Sequence, residues 1–216
     1  MGLSAVTLKT QQRENRAHFS DALNLRVHRA ISWLTKAEQC DDLDSQFIFY
    51  WIAFNSAYAN EMAGIRKCES EIFNHYLARI IELDGSHQVY HLVWDTYSGA
   101  IRVLLENPYV YQKFWDSANG LLAPDAWKAE FEKANKAAHV ALAKKDTTTI
   151  LSVVFSRLYT LRNQLVHGGA TWNSKVNRDQ LRDACHILKD MLPLMIKTML
   201  DHPEAHWGEA IYPPIS

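Results

Sequence analysis

Arg162, Asn163 and His167 are the residues of this chain whose types and spacing are best suited to chemistry. They fall within Leu158-Tyr-Thr-Leu-Arg-Asn-Gln-Leu-Val-His-Gly-Gly169. Imidazole exchanges a proton near neutral pH, which suits His167 to general acid–base work. A guanidinium stays charged and donates through a planar fork, which suits Arg162 to holding an anionic centre. Asn163 and His167 stand at i and i+4 and share a helix face, so the amide can orient the imidazole or the bound anion. In the same stretch Leu158, Leu161 and Leu165 recur at helical spacing, and Gly168 reads as the left-handed residue that closes the helix. The three polar residues lie off that apolar stripe. A structural reading accounts for them too. Histidine in a last turn is favoured by the helix C-terminus, and Arg162 would then be an ordinary solvated side chain. The Arg-x4-His spacing alone is weak, because Arg13 and His18 repeat it with no chemistry assigned to them.

Charge gathers in the same region. Residues 147–200 hold seven basic side chains (Arg157, Arg162, Lys175, Arg178, Arg182, Lys189, Lys197) against Asp179, Asp183 and Asp190, although the whole chain is at −1. Arg157, Lys175, Arg178 and Arg182 are the candidates for contacting phosphates. Asp179 and Asp183 dilute them, and a solvated face is the simpler reading. Elsewhere, His87-x3-His91 would put two imidazoles on one helix face, but Gln88 replaces the glutamate of an HExxH motif and no third ligand is evident. No metal site and no cofactor are expected. Asn55, set among Trp51, Phe54 and Tyr58, reads as a buried, hydrogen-bonded core amide. The Trp and Tyr residues are scattered along helices and read as core rather than as a base-stacking platform.

The elements that must position these residues are helical. Arg16 to Glu38 shows Leu23, Val27, Ala30, Ile31 and Leu34 on one face. Asp41 to Ser45 is a polar break able to cap a second helix, about Leu43 to Met62, whose aromatic residues surround its axis. Shorter helices follow at about Glu69 to Leu83 and His87 to Leu105. Asn107-Pro108 opens Tyr109 to Asn119, and Pro124-Asp125 opens a helix ending near Lys144. Asp146-Thr147-Thr148 caps the helix that carries the candidate residues. A last helix runs from about Asn177 to Leu200, with Pro193 expected to kink it or shift its course. No useful strand alternation appears. The expected fold is all-α: a single domain over 1–216 in which helices 16–38, 43–62, 147–167 and 177–200 form a four-helix bundle. Residues 65–146 are read as an inserted set of helices, and 201–216 as an irregular tail.

Composition sets outer bounds. Hydrophobic content of 48% is ample for a core, and 8 Gly and 6 Pro are few. Three cysteines without a CxxC pair argue against a disulfide framework or zinc site. The polar N-terminus lacks the apolar core of a signal peptide, and the longest apolar run, Phe47 to Ala59, is too short to span a bilayer. A cytoplasmic protein is expected.

Leu161-Arg-Asn-Gln-Leu-Val-His-Gly168, near the C-terminal end of a helical chain, resembles the signature of the HEPN superfamily (higher eukaryotes and prokaryotes nucleotide-binding). The aromatic helix Phe47-Ile-Phe-Tyr-Trp-Ile-Ala-Phe-Asn-Ser-Ala-Tyr58 is similar to the second helix of its Apea-like branch. The resemblance covers about half the chain and leaves out 65–146. Many members of that family are metal-independent endoribonucleases acting as homodimers, and others are inactive. The resemblance implies RNA cleavage, with Arg162, Asn163 and His167 at the motif positions and no departure at any of them. The 2′-hydroxyl would attack the adjacent phosphorus, His167 would move the proton and Arg162 would stabilise the phosphorane. Five helical residues separate Arg162 and His167 by roughly 140° and 7.5 Å along the axis, so they do not converge from one helix. A two-fold homodimer would combine both sets in one cleft. The partners implied are a second copy, RNA or a nucleotide, and an antitoxin or other protein if the chain serves in defence or as a toxin. The alternative is a non-catalytic helical dimer that binds nucleotide, RNA or a protein through the same surface.

Overall fold

The computed structural model describes residues 3–59, 69–175 and 177–212. Among them are ten α-helices and no strand, so the chain is all-α as read from the sequence. In order they are α1 (Ala5–Asn15), α2 (Asp21–Glu38), α3 (Leu43–Tyr58), α4 (Glu69–Leu83), α5 (Gln88–His91), α6 (Ser98–Glu106), α7 (Gln112–Ala118), α8 (Ala126–Lys144), α9 (Thr147–Val166) and α10 (Arg178–Asp201). The chain divides into two compact units. One comprises the chain up to Val89 together with Cys185 onward, and the other is Tyr90–Ala184.

In the first unit, Asp42 caps α3 by accepting from the Ser45 amide at 2.8 Å, as its sequence position suggested. The expected continuation of this helix to Met62 lies outside the described residues. Phe47, Trp51, Phe54 and Tyr58 of α3 are buried, as are Phe73, Leu77 and Ile80 of α4. Phe54 lies 4.5 Å from Tyr58 and 6.1 Å from Tyr76 between ring centroids, within the range of favourable edge and offset contacts. Burial pushes the Tyr76 phenol above its usual pKa, and its hydroxyl donates to the Met199 sulfur.

Two features of this unit differ from the sequence reading. Ala5–Asn15 is a helix rather than a plain polar segment, opened by a reciprocal Ser4–Thr7 capping box. Its buried stripe is only Ala5, Leu8 and Gln12, too narrow to register as amphipathic, and Gln12 donates to the Asn24 carbonyl at 3.0 Å. Asn55 is half-buried, and its buried Oδ1 has no hydrogen-bond partner, which corrects the expectation of a satisfied core amide. The last helix, α10, contains Pro193 and continues to Asp201.

The tail after α10 is irregular over its described part and is held by arginines of α2. Arg26 Nη1 donates to the Ala57 carbonyl and Nη2 to the Glu209 carbonyl, each at 2.7 Å. Arg29 donates to the carbonyls of Ile211 and Tyr212, each at 2.6 Å. Cys40 and Cys185 are not disulfide-bonded, and their sulfurs lie within hydrogen-bond range of the Lys36 and Leu43 carbonyls.

In the second unit α9 packs against α8 and α6. The stretch expected as one helix over His87 to Leu105 is broken. His87 takes a left-handed φ of +55°, ahead of α5, so it does not share a helix face with His91. Leu92–Thr96 is a π-turn closed by the Tyr97 amide on the Leu92 carbonyl at 2.9 Å. Beyond the turn, Asn107 caps a short 3₁₀ turn that has Pro108 at its start, and only then does α7 begin. Phe114, Trp127, Phe131 and Tyr111 form a chain of ring contacts between 5.0 and 5.9 Å. No described helix is long and apolar enough to cross a membrane.

Candidate functional site at the end of α9

α9 is fixed at both ends before any functional side chain is considered. At its start Asp146 accepts from the Thr149 amide at 3.0 Å and the Thr149 hydroxyl at 2.7 Å. Those two bonds hold the Asp146 carboxyl below its usual pKa, the expected response of a carboxylate that accepts donors. Trp94 in the π-turn donates its indole N–H to the Thr147 hydroxyl at 2.9 Å. Ile150, Leu151, Val154, Phe155, Leu158 and Leu161 are buried, whereas Leu165 of the expected stripe is half-buried.

The C-terminus closes in a Schellman turn. Gly168 has φ +71°, its amide bonds the Leu165 carbonyl at 3.3 Å, and the Gly169 amide bonds the Gln164 carbonyl at 2.7 Å. A Cβ on Gly169 would come within 3.1 Å of the Gln164 carbonyl oxygen, so this second position is also tight. The glycine expected to end the helix does so.

Arg162 and Asn163 are half-buried, and the guanidinium Nη1 donates to Asn163 Oδ1 at 2.9 Å. Most of the guanidinium's donors are left over for another acceptor. His167 occupies the C-cap, with its amide on the Asn163 carbonyl at 3.0 Å and its side chain exposed. The structure therefore brings Arg162 and Asn163 together through their side chains, while His167 meets Asn163 through the backbone. The helix end presents a guanidinium with donors to spare and, a turn further on, an accessible imidazole.

The four expected phosphate contacts differ in where they lie. Arg157 is 3% exposed, with its guanidinium over the Tyr111 ring at 4.5 Å and the Phe131 ring at 5.4 Å, so it is not a surface ligand. Arg178 Nε and Nη2 both donate to the Ser174 carbonyl, at 2.9 and 2.7 Å. Arg182 pairs with Asp179 at 3.0 Å and Asp183 at 3.6 Å. Lys175 is exposed on the loop after the cap. Among the described residues no group of three or more His, Cys, Asp or Glu is arranged to hold a metal.

Gln164 is the residue that sequence reasoning missed. Its Nε2 donates to the Tyr109 carbonyl at 2.6 Å, and its Oε1 accepts from Asn177 at 2.8 Å. It thus ties the end of α9 to the 3₁₀ turn and to the start of α10. Nothing in the spacing of α9 marks it, because both partners are distant in sequence. Comparison with family models, curated proteins and solved structures gives no match.

Proposed function

We propose that the chain is a metal-independent endoribonuclease of the HEPN type, acting as a homodimer whose two α9 ends form a composite site. The observation that carries this reading is the pairing of Arg162 with Asn163 beside an exposed His167, on a helix end locked by its glycine cap. In this site Arg162 binds the scissile phosphate and stabilises the charge that builds on it. Asn163 holds the guanidinium in plane. His167 takes the proton from the 2′-hydroxyl or delivers one to the leaving 5′-oxygen, and the partner's copy supplies the complementary group. Products carry a 2′,3′-cyclic phosphate. The chain's place in defence or as a toxin, with a cognate protein partner, belongs to the same proposal.

The test is incubation of the purified protein with mixed cellular RNA in EDTA, beside His167→Ala. The expected result is cleavage by the parent with cyclic phosphate ends. The variant should lose at least about a hundredfold in rate, the usual scale for one acid–base group, while keeping its fold. Full activity in a protein that sediments as a monomer overturns the composite site. Absence of cleavage, with a nucleotide-dependent rise in melting temperature that Arg162→Ala abolishes, replaces the enzyme with a binding module.

A further inference from the structure

The loop that follows His167 presents an indole to solvent on a rigid mount. We infer that Trp172 is a stacking platform for an unpaired RNA base beside the scissile phosphate, an inference that rests on the RNA-cleaving reading and narrows its substrate to single strands. Trp172 is 73% exposed, whereas Trp51 and Trp207 are 1% and 8% exposed. Tryptophan carries the largest apolar surface of any side chain, so leaving most of it in water forgoes a large burial term.

The mount is not a slack loop. It leaves α9 through the Schellman turn and turns again where the Ser174 amide bonds the Thr171 carbonyl at 3.1 Å. The Arg178 guanidinium grips the Ser174 carbonyl through two nitrogens, and Asn177 is tied to Gln164. Asn173 and Asn177 both adopt a φ of +55°, the left-handed region that asparagine tolerates better than most residues. Such a backbone loses little further freedom on binding.

The setting favours a nucleobase over a protein surface. Thr171, Asn173, Ser174 and the exposed Lys175 flank the indole in sequence, so an exposed aromatic stands among hydroxyl, amide and ammonium groups. An aromatic face beside a cation is how sequence-tolerant single-strand binding is built, because every base has a π-face and every linkage a phosphate. Five residues separate Trp172 from His167, at most roughly 18 Å of fully extended chain, and two intervening turns shorten that. The platform therefore lies within a few nucleotides of the imidazole. Stacking requires an unstacked base, which a duplex does not offer.

The test uses two readouts. The first is fluorescence anisotropy of a labelled oligoadenylate about twelve nucleotides long on the His167→Ala protein. Adding Trp172→Ala should weaken binding about tenfold, Trp172→Phe should weaken it less, and prior annealing of a complementary strand should abolish the difference. The second is cleavage kinetics on the otherwise unaltered protein, where Trp172→Ala should raise KM by a similar factor and leave kcat within about twofold. Cleavage with an unchanged KM in Trp172→Ala overturns the inference and leaves the enzyme standing. A shift of Trp172→Ala to a smaller sedimenting species also overturns it, by making the indole a protein contact. Trp172-dependent binding without cleavage by the parent keeps the platform and removes the catalytic reading. Neither binding nor cleavage removes both.

Discussion

Arg26 in the first unit and Arg157 in the second are both buried, and they are held by different means. Arg26, 1% exposed, lends its two terminal nitrogens to main-chain carbonyls at 2.7 Å. Arg157, 3% exposed, lies against the faces of Tyr111 and Phe131, and in both arginines the buried Nε has no hydrogen-bond partner. Burial lowers the pKa of both, the Arg157 guanidinium to about 10. Tyr76 and Glu209 partly offset this for Arg26, and Tyr111 does so for Arg157. The contrast separates two uses of one side chain. A guanidinium that donates to carbonyls fixes backbone, and its loss orphans the acceptors. A guanidinium on ring faces fixes no backbone, and its loss removes a desolvated charge along with a favourable contact.

The largest effect expected from that difference is at Arg26. Arg26→Met should destabilise the protein by about 3 kcal/mol, read from the urea midpoint, since the Ala57 and Glu209 carbonyls lose their donor. Arg157→Met should move stability by less than about 1 kcal/mol near neutral pH, because an apolar chain of similar reach replaces an uncompensated cation. Equal losses at the two sites would break the comparison.

Alkaline titration sharpens it. The folded pKa of Arg157, about 10, lies well below that of a solvated guanidinium, so above that value the unfolded chain binds more protons than the folded one. Stability linked to this group therefore rises with pH from there upward, and the cost of the buried charge is felt fully below it. Measured against the parent, the melting temperature of Arg157→Met should fall as pH goes from about 9 to 11. Tyr50 and Tyr76, whose pKa values are raised by burial, lose stability above pH 10 in parent and variant alike, so the difference isolates Arg157. The smallest effect is at an exposed arginine. Arg182→Ala should change stability by no more than about 0.5 kcal/mol despite two carboxylate contacts, because surface ion pairs are screened.

Much of the local architecture was legible because it depends on near neighbours. Asp42, Asp146 and Gly168 act within one turn of where they stand, and each caps or closes the helix its position implied, whereas Asn107 caps a 3₁₀ turn in place of the expected helix. The limits of α9 follow from such signals. What escaped depends on residues far apart in the chain. The burial of Arg157 needs Tyr111 and Phe131, and the role of Gln164 needs Tyr109 and Asn177. The π-turn at 92–96 adds a single residue to a helical turn, which apolar spacing does not resolve. At the site, the sequence placed Arg162, Asn163 and His167 on one helix end. The Arg162–Asn163 bond and the exposure of Trp172 needed coordinates.

The hold of Arg26 and Arg29 on the tail falls wholly on the carbonyl oxygens of Glu209, Ile211 and Tyr212. Every residue type carries that oxygen, proline included. The hydrogen bonds of this hold thus do not depend on which side chains stand at 209, 211 and 212, while they do depend on the two arginines of α2. Descent would leave the record of this hold in the clamp rather than in what the clamp holds.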